Sequence, residues 1–211
     1  MKHSLPGLIS LFFLFGTTWG QENSLPENYP YQQSLEALQQ NLDLSYQDPD
    51  SAVTEADFLQ MVLLYTDQPI TETDCEIEMD DETLKSVVCT AQGVGIYTDK
   101  PDGAFDPLQN ITFSKASEIL HKAYDLEIDD YDADIWYSPY ALKLGTMKVV
   151  PPSVNSFDRE LGLGEIAEML WRLENPPEDQ THPQSYNSVA DFEQIQARKE
   201  TQDSEVLYHT Y

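Results

Sequence analysis

The chain has 211 residues, of which 38 are Asp or Glu and 11 are Lys or Arg, giving a formal net charge of -27 at pH 7. A chain this acidic repels nucleic acid and anionic lipid, which excludes both as partners held by charge. About 190 residues after a leader suffice for one domain with a real core, or for three small units that share one.

Lys2 and His3 precede the apolar run Leu8–Phe15, and Thr17-Thr18-Trp19-Gly20 leads to Gln21. A charged start, an apolar stretch too short to span a bilayer and a small-residue end mark a signal peptide over residues 1–20, with a retained anchor as the alternative. No cysteine stands at the cut, so a lipoprotein is not expected. The chain is expected to be secreted, with no membrane contact after cleavage. Residues 21–32 are polar, carry Pro26 and Pro30, and read as an unstructured lead-in.

Residues 33–73 form a first unit. Leu35, Leu38 and Leu42 recur at helical spacing, a turn follows over Tyr46–Asp50, and Val53-Thr54 opens a helix over Glu55–Tyr65. That helix is apolar along Phe58, Leu59 and Met61–Leu64, and an all-round apolar helix belongs in a centre.

Residues 74–128 repeat the layout with a helix over Thr83–Ala91, glycines at 93 and 95, and a second helix over Phe113–Tyr124. Pro101-Asp102-Gly103 suits a turn, because proline presets φ and glycine accepts positive φ. Thr112 is placed to cap the orphan amides of the helix it precedes, whose stripe is Ala116, Ile119, Leu120, Ala123 and Tyr124. Asn110-Ile111-Thr112 is also a formal glycosylation sequon. Cys75 precedes the first helix of this unit and Cys89 lies near its end. In an exported chain they read as a disulfide, the alternative being a zinc pair, for which His121 is the nearest histidine in sequence.

Residues 129–174 give a third unit. Asp129–Asp134 meets the first EF-hand ligand positions but then offers Ile135 for the glycine and Ala141 for the bidentate glutamate. It reads as a solvated acidic linker, with a weak, irregular divalent-cation site as the alternative; no resident metal or cofactor is expected. Trp136, Tyr137, Tyr140, Ala141 and Leu144 lead to Gly145, and Leu161 opens a helix through Leu173. Aromatics at this spacing are core by default, or a surface for stacking sugar. From Asn175 onward proline and polar residues mark a flexible tail over 175–211, with a short helix over Val189–Lys199.

The helix starts Thr54, Thr112 and Gly162 lie roughly 50–60 residues apart, the spacing of a repeat. These readings predict an all-α fold of three helix–loop–helix repeats packed around a shared central helical core.

The unit resembles the S-layer homology (SLH) repeat of bacterial surface proteins. The residues that carry the resemblance are Gly93–Ile96, Pro101–Phe105 with Pro107, and Ile111-Thr112 running into Ala116 and Ile119-Leu120. In the third unit they are Trp136-Tyr137, Pro139-Tyr140, Phe157 and Gly164–Leu170, and in the first Val53–Phe58. The resemblance implies a cell-surface protein that binds cell-wall polysaccharide. The family's contact motif is Thr-Arg-Ala-Glu at the start of the second helix. Those positions read Thr54-Glu55-Ala56-Asp57, Thr112-Phe113-Ser114-Lys115 and Gly162-Leu163-Gly164-Glu165. The resemblance thus makes Thr54, Asp57, Thr112 and Glu165 the candidate ligand-binding residues.

The motif arginine is missing from all three positions, and a guanidinium is the natural partner of an anionic sugar. The alternative function is therefore an envelope protein–protein interaction module on the same scaffold. Catalysis is not expected: His121, His182 and His209 are scattered, and no serine or cysteine stands in a recognisable nucleophile setting.

Overall fold

The computed structural model describes residues 29–42, 48–71, 75, 77, 79–97, 106–128 and 136–175. The leader, the Pro101–Phe105 turn, the Asp129–Asp134 run and the tail after Asn175 lie outside the described residues. Within them the protein is all-α: α1 (Gln32–Leu42), α2 (Glu55–Tyr65), α3 (Glu82–Gly93), α4 (Phe113–Ala123), α5 (Ser138–Thr146) and α6 (Leu163–Glu174), with no strand.

Local chemistry sets the helix limits. Asp81 caps α3 by accepting from the Thr83 and Leu84 amides at 2.9 and 3.1 Å, so the helix begins one residue earlier than its periodicity indicates. In α5, Pro139 sits in the first turn, where its missing N–H costs no helical bond. Helices α2, α4 and α5 all end on a residue in the left-handed region: Asp67 (φ 54°), Asp125 (φ 47°) and Lys148 (φ 56°). That conformation turns the next amide back onto the last turn, as Gln68 N–H donates to Leu63 O at 2.8 Å and Val149 N–H to Leu144 O at 3.0 Å.

The short segments ahead of α2, α4 and α6 meet at the centre. Val53 N–H donates to Leu161 O at 3.3 Å, Leu161 N–H to Ile111 O at 3.0 Å, and Ile111 N–H to Val53 O at 2.8 Å. The three bonds close a ring, flanked by isolated antiparallel bridges Ala52–Gly162, Thr54–Asn110 and Thr112–Glu160. Val53, Ile111 and Leu161 are all buried, so no water competes for these bonds.

Around the ring the closest helix pairs are α1 with α6, α2 with α3, and α4 with α5; α2 also touches α4 and α1. The first helix of each sequence unit thus lies closest to the second helix of the preceding unit, and α1 closes onto α6. One apolar cluster joins all six helices through Leu35 and Leu38, Phe58 to Leu63, Val87 and Val88, Ile119 and Leu120, Ala141 and Leu144, and Ile166 to Leu170. The polar lead-in read over residues 21–32 is too long at its C-terminal end. Gln32 begins α1, and Tyr31, 7% exposed, packs in the core.

Cys75 and Cys89 form a disulfide, with Cα atoms 5.6 Å apart. It ties the segment before α3 to the buried side of that helix. Thr90 Oγ1 reinforces the tie, accepting from Thr71 N–H at 3.1 Å and donating to Thr71 O at 2.9 Å.

Candidate functional site

Each central helix start is served by the segment that leads to another. The first two amides of α2 donate to Gln109 O (2.8 Å) and Pro107 O (3.1 Å). Those of α4 donate to Arg159 O (2.9 Å) and Phe157 O (2.9 Å), and those of α6 to Ser51 O (3.0 Å) and Pro49 O (2.8 Å). Six amides that a helix leaves unpaired are satisfied by main chain alone. The candidate residues Thr54, Asp57, Thr112 and Glu165 stand directly beside these bonds.

At α2 the Thr54 hydroxyl accepts from Asp57 N–H at 3.2 Å and donates to Asp57 Oδ2 at 2.6 Å. The two candidates therefore occupy each other. Glu55 and Asp57 put negative charge on the positive end of the helix dipole. At α4 the Thr112 hydroxyl accepts from Lys115 N–H at 3.5 Å and bonds Ser114 Oγ at 3.1 Å. Lys115 itself points to Glu118 (3.2 Å) and lies over the Tyr97 ring, 4.8 Å from its centre.

The α6 start is built differently. Gly162 has no side chain to cap with, so Glu165 reaches back and accepts from Gly162 N–H at 3.0 Å, one half of a capping box. Its other oxygen accepts from Arg159 Nε (3.1 Å), Arg159 Nη2 (2.9 Å) and Ser153 Oγ (2.6 Å). Ser153 also bonds the Tyr31 hydroxyl at 2.9 Å. Burial foremost, with the Glu165 and Glu168 carboxylates behind it, pushes the Tyr31 phenol up against the lowering effect of the Ser153 bond. Tyr29 covers the same helix start and meets Asp50 Oδ1 at 3.4 Å. A Cβ at Gly164 would overlap the Tyr29 hydroxyl and come within 2.9 Å of Cζ, so any larger residue there forces the Tyr29 ring to move.

One turn further on, the three helices carry buried polar groups in register: Gln60, Glu118 and Glu168, each 6% exposed or less. Glu118 pairs with Lys122 at 2.9 Å and Lys115 at 3.2 Å. Glu168 pairs with Arg172 at 2.7 Å, and Arg172 also donates to Lys148 O at 3.3 Å. Burial acts to raise the Glu118 carboxyl, but the bond from Lys122 and the charge of Lys115 prevail and hold it below the usual carboxylate range.

The other sequence candidates disperse. Tyr137 is buried against Phe157 with ring centres 4.7 Å apart, and Trp136 packs edge-on to Tyr137 at 5.3 Å while remaining 45% exposed. The sequon residue Asn110 donates its amide to Glu160 at 2.8 Å, and Thr112 serves as a cap. Among the described residues no group of three or more His, Cys, Asp or Glu side chains is placed to hold a metal, and no helix is long and apolar enough to cross a membrane.

Arg159, Ser153 and Tyr31 were not legible as site residues. Arg159 and Ser153 reach Glu165 from the α5–α6 loop and Tyr31 joins through Ser153 from the segment before α1, and no helical or strand period links those positions. The one available signal is opposite charge six residues apart across a helix start. The chain matches no family model and no curated protein sequence.

Proposed function

We propose that this chain is an exported, non-catalytic surface-association module of the SLH-like kind, binding cell-envelope polysaccharide beside the starts of α2, α4 and α6. The ring of main-chain bonds through Val53, Ile111 and Leu161 carries this reading. It gathers the three motif positions that the repeat pattern singles out, and it leaves their recognition chemistry to side chains. Those side chains are uncharged or acidic at α2, and the Arg159 guanidinium beside α6 is already paired with Glu165. A polymer would be held through stacking on Trp136, through neutral hydrogen bonds that displace the Thr54–Asp57 and Thr112–Ser114 contacts, or through divalent cations bridging acid to acid.

The test is cosedimentation with purified bacterial cell walls before and after removal of their secondary polymer. Weak binding is expected that disappears with the polymer and strengthens with calcium or magnesium. Equal sedimentation with stripped walls defeats the proposal. Tight binding in chelator that collapses as sodium chloride rises defeats its chemistry, because that is the behaviour of a basic site.

A second reading, an envelope protein-interaction module, draws on one specific observation: Thr54, Asp57, Thr112 and Glu165 all spend hydrogen bonds on their own helix starts. It predicts no wall binding under any ionic condition, with capture of an envelope protein in its place.

A further inference from the structure

The α4–α5 pair contains a partly buried histidine whose setting favours its neutral form. The His121 ring packs against the Tyr140 ring of α5, centres 5.0 Å apart and planes inclined by 58°. Its Nε2 is buried and has no hydrogen-bond partner among the described residues. Lys122 of α4 and Lys143 of α5 act on it with like charge, and Asp125, just past the end of α4, is the opposing group. α5 is short, nine residues, and its start has no side-chain cap. α5 buries Ala141 and Leu144 in the core cluster and meets α4 through this ring contact.

We propose that His121 makes this joint acid-sensitive: protonation of its imidazole loosens α5 from α4 while the ring of bonds at the centre stays closed. A proton on the imidazole would place a poorly solvated cation between two helices and next to the Lys143 ammonium. The neutral ring avoids that cost and keeps its apolar contact with Tyr140. Burial foremost, then Lys143 and Lys122, holds His121 below its ordinary 6.5, with Asp125 opposing. The sign follows from linkage. A folded state with the lower pKa binds fewer protons than the unfolded one, so stability is full above the unfolded value of 6.5 and is lost as pH falls toward the folded value. The central ring contains no titrating group, because its donors and acceptors are all main chain.

The experiment combines ring NMR with hydrogen exchange on the full chain. The His121 ring resonance, assigned through its own backbone, is expected to titrate with a midpoint below 6.5. Amides 141–146, corrected for the intrinsic pH dependence of exchange, are expected to lose protection across the same interval, by about tenfold for each pKa unit of depression. The amides of Val53, Ile111 and Leu161 are expected to keep theirs. H121Q should hold α5 protection constant over that interval, and H121F, which keeps the ring contact, should do the same. A midpoint at or above 6.5 overturns the proposal. So does unchanged α5 protection through the wild-type titration, or an equal loss of protection in both variants.

Discussion

α2 and α6 begin on equivalent main-chain bonds and are then held by different means. At α2 a threonine hydroxyl caps the helix and engages Asp57, and the positions one and two turns on are Gln60 and an exposed Leu64. At α6 glycine stands at the cap, a glutamate reaches back in its place, and the corresponding positions hold the buried Glu168–Arg172 pair. α4 lies between them, with a threonine cap and a Glu118–Lys122 pair. Because the ring at the centre uses only N–H and C=O groups, it places little demand on side-chain identity. The side chains around it differ from one helix start to the next, while the main-chain bonds are equivalent.

The largest expected effect comes from cutting the pair that α2 lacks. Arg172 is 1% exposed, and R172A strands the Glu168 carboxylate in the core, for a loss of about 3–5 kcal/mol in urea unfolding. Replacing both partners, E168L with R172M, should recover most of that loss. Equal damage from the double replacement would show that the site depends on the charges themselves. At the matching position of α2, L64K should change stability by no more than about 0.5 kcal/mol.

G164A sharpens the comparison at the helix start. The added methyl collides with Tyr29, with an expected cost of about 1–3 kcal/mol, largely relieved in a G164A/Y29A background. T54A removes a complete cap and should cost about 1 kcal/mol by the same measurement. T112A should cost less, because its bond to Lys115 N–H is the longer of the two.

Glu118 gives the comparison a pH axis. Its folded pKa lies below the ordinary 4.5, so its contribution is present above the unfolded value and is lost as pH falls through the folded one. E118Q should therefore flatten the acid limb of stability below about pH 4.5. K148G acts in the opposite direction: with φ at 56°, the left-handed residue after α5 should gain up to about 1 kcal/mol from glycine in thermal unfolding.

Several of these features were legible in the sequence. The α2 span follows from its apolar run and the Thr54 cap, and the α4 stripe and its Thr112 cap coincide with the observed helix. The Cys75–Cys89 bond is expected because these are the only two cysteines and no histidine ligand stands nearby in sequence. The central ring left no mark, because main-chain bonds carry no residue signature beyond the spacing of Val53, Ile111 and Leu161. The closure of α1 on α6 was hidden because Tyr29 and Tyr31 sit in a polar, proline-bearing stretch that reads as lead-in. Glu168 and Arg172 sit four apart on a helix, the ordinary spacing of a solvated surface pair. Only the fold shows that this face of α6 is buried under α1 and the Lys148 turn.

The most direct test of the account is hydrogen exchange at three amides, those of Val53, Ile111 and Leu161. If the helix starts are joined in one closed ring, the three share a single opening event. Once corrected for their intrinsic rates, they should then exchange at one common, slowest rate that urea accelerates equally for all three. Separate rates, or one of the three exchanging at the rate of the flanking turns, would contradict the closed ring and remove the frame on which the proposed binding surface stands.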